Sequence, residues 1–309
     1  MIRRARLLAM AMGGLLASAG VVHAAGKAGA VGAAFLKIAP GARAAALGEA
    51  FTAVADDAST LIWNPAGLAR LRRPEIAATH SQWLQEADHD FMAAALPVSA
   101  GTLGLGVTSF SVPNIPKRAS DSDAPDGVFD ARDAAYNVGW GQSVGDDWAV
   151  GLTASYLRQT IDGRSAAGAA ATLGALWRTP WRALTAGLAL RNLGGEIKFD
   201  REGDPLPTTA ALGAALRSPN GRFTFSTDLR LPSKGDLSES AGVEYTHPLF
   251  NDGRGRLRAG YNSAAADADG ASGLSLGLGL DFSRWAFDVT WAPYGALGDS
   301  FRYGFRVSF

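Results

Sequence analysis

The sequence predicts an all-β fold, a transmembrane antiparallel β-barrel of about fourteen strands with a short, partly helical N-terminal hatch. Three observations carry that expectation. Long stretches alternate large apolar residues with Gly, Ser, Thr or charged ones. Connections between them alternate short turns with longer polar loops. Beyond the first residues, no apolar run reaches the length of about 20 residues that a membrane helix needs.

The chain opens on a leader. Arg3, Arg4 and Arg6 precede an apolar run over 7–22, and Val22-His23-Ala24 supplies a small-residue cleavage site. Gly13, Gly14, Ser18 and Gly20 weaken the run as a helix, so 1–24 read as a cleavable secretory signal and not as an anchor. Residues 25–74 lack strand alternation and form the expected hatch. They are small up to Ala34, and 35–38 read as a short extended piece before Pro40. Across 41–71, Gly48 and Pro65 forbid one long helix. Two short helix starts replace it. Asp57 or Ser59 accepts from the free N–H groups of a turn beginning near Thr60. Asn64 caps a second turn whose first residue, Pro65, is preset to a helical φ.

From Glu75 to Phe309 the period is two, and these residues form the expected barrel, 75–309. Leu274, Leu276, Leu278, Leu280 and Phe282 interleave with Gly273, Ser275, Gly277, Gly279 and Asp281. Phe301, Tyr303, Phe305, Val307 and Phe309 do the same with smaller or charged partners. Strands are expected near 75–82, 88–98, 101–111, 131–143, 147–160, 165–178, 183–193, 206–217, 221–230, 237–247, 255–263, 272–282, 284–292 and 299–309. Short turns at 99–100, 144–146, 179–182, 218–220 and 283 alternate with longer connections at 112–130, 194–205, 231–236 and 264–271. That asymmetry is the barrel pattern, with the long loops outside the cell, although the connection at 247–254 is long for the inner side. Tyr136, Trp140, Trp148, Tyr156, Trp177, Trp285 and Trp291 read as aromatic girdles at the two lipid interfaces. The lumen face is mostly Gly, Ala, Ser and Thr, with Arg158, Arg191, Arg222, Asp228, Glu244, Arg258, Asp281, Asp288, Arg302 and Arg306 as exceptions. Small residues leave room for the hatch, and charges of both signs are expected to pair with it and with one another.

Composition narrows the function. Twenty-nine basic residues balance 29 acidic ones, which removes the electrostatic footprint of a nucleic-acid binder, and the absence of cysteine removes thiolate chemistry. Asp121, Asp123, Asp126 and Asp130 lack the spacing and the closing Glu of a calcium loop, so they read as a solvated loop; no metal and no cofactor is expected. His89 between Asp88 and Asp90 sits where a His–Asp pair at the barrel mouth would activate water, the basis of a hydrolase alternative. No G-x-S-x-G turn accompanies it, and the chain reads as a non-enzyme. His80 and His247 read as interface residues.

Gly41-Ala42-Arg43, then Gly48, Ala50 and Phe51-Thr52-Ala53-Val54-Ala55-Asp56-Asp57-Ala58, then Trp63-Asn64-Pro65-Ala66-Gly67-Leu68, resemble the N-terminal signature of the PorV/PorQ family. That family is a branch of the FadL-like outer-membrane barrels. Residues 288–309 resemble the family's closing hairpin, and Phe309 its terminal barrel-insertion signal, read by the barrel-assembly machinery. The resemblance implies a bacterial outer-membrane protein that assists protein export or surface display, with secretion components or exported cargo as partners. The wider FadL-like resemblance implies a channel for hydrophobic small molecules. The N-terminal signature as a whole singles out Arg43, Asp56, Asp57, Ser59, Trp63, Asn64, Pro65 and Gly67 as the hatch motif, structural or gating. Only 112–130 is long enough to offer a partner a large surface, and no long apolar loop is evident to catch a greasy ligand.

Overall fold

The computed structural model describes residues 31–121, 124–266 and 272–309; the leader 1–24, the first hatch residues and Asp123 lie outside the described residues. Its strands are β1 Glu75–Gln82, β2 Asp88–Val98, β3 Gly101–Lys117, β4 Gly127–Val144, β5 Trp148–Ile161, β6 Arg164–Arg178, β7 Leu184–Gly194 and β8 Glu196–Lys198. They continue with β9 Gly203–Pro205, β10 Thr209–Arg217, β11 Phe223–Pro232, β12 Ser238–Pro248, β13 Arg254–Asn262, β14 Leu274–Phe282, β15 Trp285–Pro293 and β16 Asp299–Ser308. All but β8 and β9 form one closed antiparallel barrel of fourteen strands, each paired with its neighbours in sequence, and β1 meets β16 to shut it. The fold class read from the sequence is the one the chain adopts. The β8–β9 hairpin sits in the connection between β7 and β10.

Alternation sorts the side chains. Along β14, Leu274, Leu276, Leu278 and Leu280 are exposed while Ser275, Gly277 and Gly279 are buried. The large apolar face therefore points outward and the small face inward, the inverse of a soluble sandwich, and only lipid is a suitable solvent for it. Trp148 stacks on Trp177 at one end of this face (ring centroids 5.6 Å apart), and Tyr136 stacks on Tyr156 at the other (6.3 Å). Along β5 the two rows are about 26 Å apart, or about 20 Å across a membrane at a tilt of about 40°. That is close to the apolar band of outer-membrane barrels. No described helix is long and apolar enough to cross a membrane.

At the rim where β16 ends, the turns span 99–100, 145–147, 179–183, 218–222, 249–253 and 283–284. At the opposite, upper rim the connections 118–126, 195–208 and 263–273 are longer, 83–87, 233–237 and 294–298 only match the longest of these turns, and β5 and β6 join through 162–163 alone. The expected long loop at 112–130 is mostly strand. β3 and β4 continue past a register shift between Val112 and Ile115, so the connection shrinks to 118–126. Pro113 and Asn114 hid this from the period, since they mark a bulge and not an end. The second correction is at 35–38, where a 3₁₀ turn, Ala34–Lys37, replaces the expected extended piece.

The seam joins both ends of the barrel to the hatch. The Phe309 N–H donates to the Pro74 carbonyl at 2.9 Å. The Glu75 carboxylate accepts from the hatch N–H of Ala58 at 2.7 Å and from the Ser308 hydroxyl at 3.2 Å.

Candidate functional site

The hatch fills the lumen. Leu47, Phe51, Leu61 and Leu68 are fully buried, and Trp63 is 2% exposed. Helix Thr60–Trp63 is followed by a 3₁₀ turn, Pro65–Arg70. Ser59 makes no side-chain cap; the Asp57 carboxylate accepts instead, from the Ser59 N–H at 3.0 Å and its hydroxyl at 2.5 Å. Asn64 caps the second turn. Its Oδ1 accepts from the Ala66 N–H at 3.2 Å. Its Nδ2 donates to the Thr52 carbonyl at 2.8 Å and to the Ala175 carbonyl on β6 at 3.2 Å. One side chain thus caps a turn, ties it to the preceding hatch segment and fastens both to the wall. Trp63 donates from Nε1 to the Pro40 carbonyl at 3.0 Å, packs edge-on against Phe51, and lies under the Arg191 guanidinium at 5.0 Å. At Gly67 a Cβ would come within 2.1 Å of the Thr60 hydroxyl, so the motif's glycine lets the two turns touch.

Arg43, on helix Ala42–Ala46, is the hub of the charges. Nε and Nη2 grip both oxygens of Glu244 on β12, at 2.9 and 3.2 Å, a bidentate pairing. Nη1 reaches Asp56 at 2.5 Å and Asp57 at 3.5 Å. Glu244 also receives Arg256 and Arg258 from β13, and Arg258 goes on to Asp288 on β15 at 2.6 Å. Arg306 lies within 4 Å of both Asp57 and Glu75. Asp56 bridges outward, with its second oxygen 2.7 Å from Arg217 at the end of β10. Burial alone raises the Asp56 carboxyl, but Arg43 and Arg217 overcome it and hold it at about 2. Burial likewise works against the Arg43 charge, and Asp56, Glu244 and Asp57 more than offset it, so the guanidinium sits well above its ordinary value.

The other side of the hatch meets almost no charge. Between β3 and β7 the wall presents glycine to it. A Cβ at Gly151 would lie 2.2 Å from Pro65, one at Gly174 2.1 Å from the Asn64 Oδ1, and one at Gly187 2.6 Å from the Thr52 carbonyl. Gly151 is paired with Gly141 on β4 and Gly174 on β6, which makes a bare strip of backbone. Gly48 (φ +61°) makes the matching approach on the charged side, where a Cβ would stand 2.4 Å from the Tyr261 backbone.

Space is unevenly distributed. Recesses along the hatch–wall seam hold only about 20 Å³ each, including one among Phe35, Leu61, Asn137 and Thr153. A cleft of about 730 Å³ opens at the lower rim beneath Ala53, Val54 and Asp56, and a recess of about 580 Å³ lies on the upper part of β3–β5.

Several placements read from the sequence change. Arg158 shares the lipid-facing side of β5 with Tyr156, and Arg222 lies in a turn. His89 is 1% exposed and faces the lumen with neither ring nitrogen hydrogen-bonded. Asp90 points the other way, to His80 at 2.7 Å, so the pair behind the hydrolase alternative does not form. In the acidic loop, Asp126 accepts from the Ala119 N–H and Asp130 from that of Asn114, and among the described residues no group of metal-ligating side chains assembles. Sequence reasoning did not single out Glu75, Arg70, Arg217 or Glu49, which pairs with Arg230. Two of them left a signal: Arg217 extends the inward period of Ala211, Gly213 and Ala215, and Glu75 opens that of Ala77, Thr79 and Ser81.

Residues 11–145 match the model of a family described as an uncharacterised protein family, UPF0164. No curated protein matches. Among solved structures, the chain is similar to the CymD monoaromatic hydrocarbon channel at 11% identity, covering 87% of this chain and 97% of that one with a TM-score of 0.57. It is similar to the Pseudomonas putida toluene transporter TodX at 10% identity, covering 81% and 92% with a TM-score of 0.51. A TodX monoaromatic hydrocarbon channel with the deltaS2S3 mutation gives 11% identity, 81% and 93% coverage and a TM-score of 0.57. At such identities the likeness is one of fold.

Proposed function

We propose that this chain is a bacterial outer-membrane channel for small apolar molecules and that the hatch is its gate. The observation that carries this reading is the plugged lumen. An apolar-cored hatch sits inside a fourteen-stranded barrel similar in fold to hydrocarbon channels, and among the described residues its ion pairs to the wall all lie on β10 to β16. The glycine side, β3 to β7, is where the hatch can part from the wall without breaking an ion pair. In this reading 1–24 direct export, Phe309 is the signal for the barrel-assembly machinery, and Asn64 with Arg43 keeps the gate shut.

The test is the initial rate of toluene uptake by cells that make the chain in an otherwise tight outer membrane. Uptake should exceed that of cells without it and rise further with Asn64→Ala, while small sugars stay excluded. Equal uptake with and without the chain sinks the reading, as does free passage of sugars.

A second reading is assistance to protein export or surface display. The observation favouring it is the tall wall of β3 to β6, with strands of 17, 18, 14 and 15 residues, against the 9–11 residues, roughly, that span a bilayer. It predicts that exported proteins co-purify with the barrel, and that shortening the β3–β4 hairpin abolishes their display but not toluene uptake.

A further inference from the structure

The cleft at the lower rim is not explained by passage of apolar solutes. Its volume of about 730 Å³ lies in the range of small-molecule sites, yet its walls are charged. Five arginines line it: Arg70 and Arg72 from the hatch, Arg178 and Arg182 around the β6–β7 turn, and Arg217 from β10. Three carboxylates, Asp56, Asp146 and Asp147, face them and leave an excess of two positive charges. Arg182 is paired with Asp147 at 3.2 Å and Arg217 with Asp56 at 2.7 Å. Arg72 and Arg178 have no carboxylate partner among the described residues.

These arginines are not scattered surface charges. Arg178 continues the inward face of β6 after Thr172 and Leu176, and Arg217 that of β10 after Ala215, so the barrel aims both into the mouth. Arg70 donates to the Ala53 and Val54 carbonyls at 3.0 and 2.8 Å, which fixes its guanidinium in the roof of the cleft. Its charge is held below the ordinary arginine value by burial, with Asp56 pulling it up and the cations Arg217 and Arg178 pressing it down. Crowded like charges facing an open recess favour a bound anion.

We infer that the cleft binds a small multivalent oxyanion, a phosphate- or carboxylate-bearing solute, and that the anion competes with Asp56 for Arg217. Asp56 is the only carboxylate among the described residues that bridges the cleft to the Arg43 hub. An anion seated on Arg72, Arg178 and Arg217 draws Arg217 away from Asp56, so occupancy at this mouth loosens the hatch. This site goes beyond the channel reading and stands whether or not apolar solutes pass the barrel.

Calorimetric titration of the purified full chain in detergent tests it, with inorganic pyrophosphate and citrate as separate probes. At least one should bind saturably at low salt, and more weakly as salt rises. The double variant Arg72→Gln/Arg178→Gln should weaken binding by about tenfold or more. Asp56→Asn should strengthen it several-fold by freeing Arg217, and that gain should vanish in an Arg217→Gln background. Heat-modifiable migration shows that each variant retains its barrel. Failure of both probes to saturate by about 10 mM overturns the site, since affinity would then be below about 3 kcal/mol. So does undiminished binding by the double variant. An unchanged or reduced affinity of Asp56→Asn overturns the competition.

Discussion

Asn64 spends one amide on three hydrogen bonds, two buried and one partly buried, so its loss reaches further than the loss of a helix cap. At about 1 kcal/mol for each bond, Asn64→Ala should destabilise hatch seating by about 3 kcal/mol. Limited proteolysis is expected to cut the hatch of the variant while the barrel stays heat-modifiable; an equally resistant hatch would refute that. Asp56 gives the hatch a pH dependence with a definite sign. Its folded pKa of about 2 lies below the ordinary 3.8, so its contribution is complete above about pH 4 and lost as pH falls through about 2. Hatch cleavage should therefore increase between pH 4 and 2, and Asp56→Asn should flatten that rise. The capping role of Asn64 was legible in the sequence because Asn before Pro is a local signal. The grip of Arg43 on Glu244 was not, because 201 residues separate the two and no local pattern encodes their meeting.

Strands were legible because their period is short and their two faces differ in size. Where the period broke at Pro113 and Asn114, reading stopped six residues early on β3, although the ladder resumes at Ile115. The helix Ala42–Ala46 was invisible for the opposite reason: its five residues are all buried, so it has no polar face to give a period of 3.6. The small residues of the wall read as leaving room for the hatch, but which glycines meet hatch backbone is visible only in the structure. Gly151→Val should accordingly displace the Pro65–Arg70 turn, because its side chain would enter atoms already 2.2 Å from a Cβ position. The β4–β5–β6 ladder lies in the wall and should survive, which heat-modifiability with a protease-sensitive hatch would show; a resistant hatch would mean that the wall yields instead. At the rims, a tag inserted in the connection between Lys117 and Gly127 should be labelled on intact cells and one at Asn220 should not, since β3 and β10 end at opposite rims of the barrel. The reverse pattern would turn the barrel upside down in the membrane.

For the molecule as a whole, the seam between β1 and β16 decides when the parts come together. These strands adjoin although more than two hundred residues separate them, so theirs is the slowest contact for the chain to find. The two hydrogen bonds to the seam residue Glu75 come from different places, Ala58 in the hatch and Ser308 in the final strand. A wall that closed around an empty lumen would trap Glu75, Glu244 and their arginine neighbours without the Arg43 hub or the Ala58 N–H, a costly set of half-paired charges. The hatch is therefore expected to act as a mould on which the last strand is laid, seated before the end of the chain arrives. Deleting residues 31–73 should leave most of the protein as unclosed, protease-sensitive chains and give few wide-open pores. Abundant, heat-modifiable barrels from the deleted chain would show that the wall needs no mould.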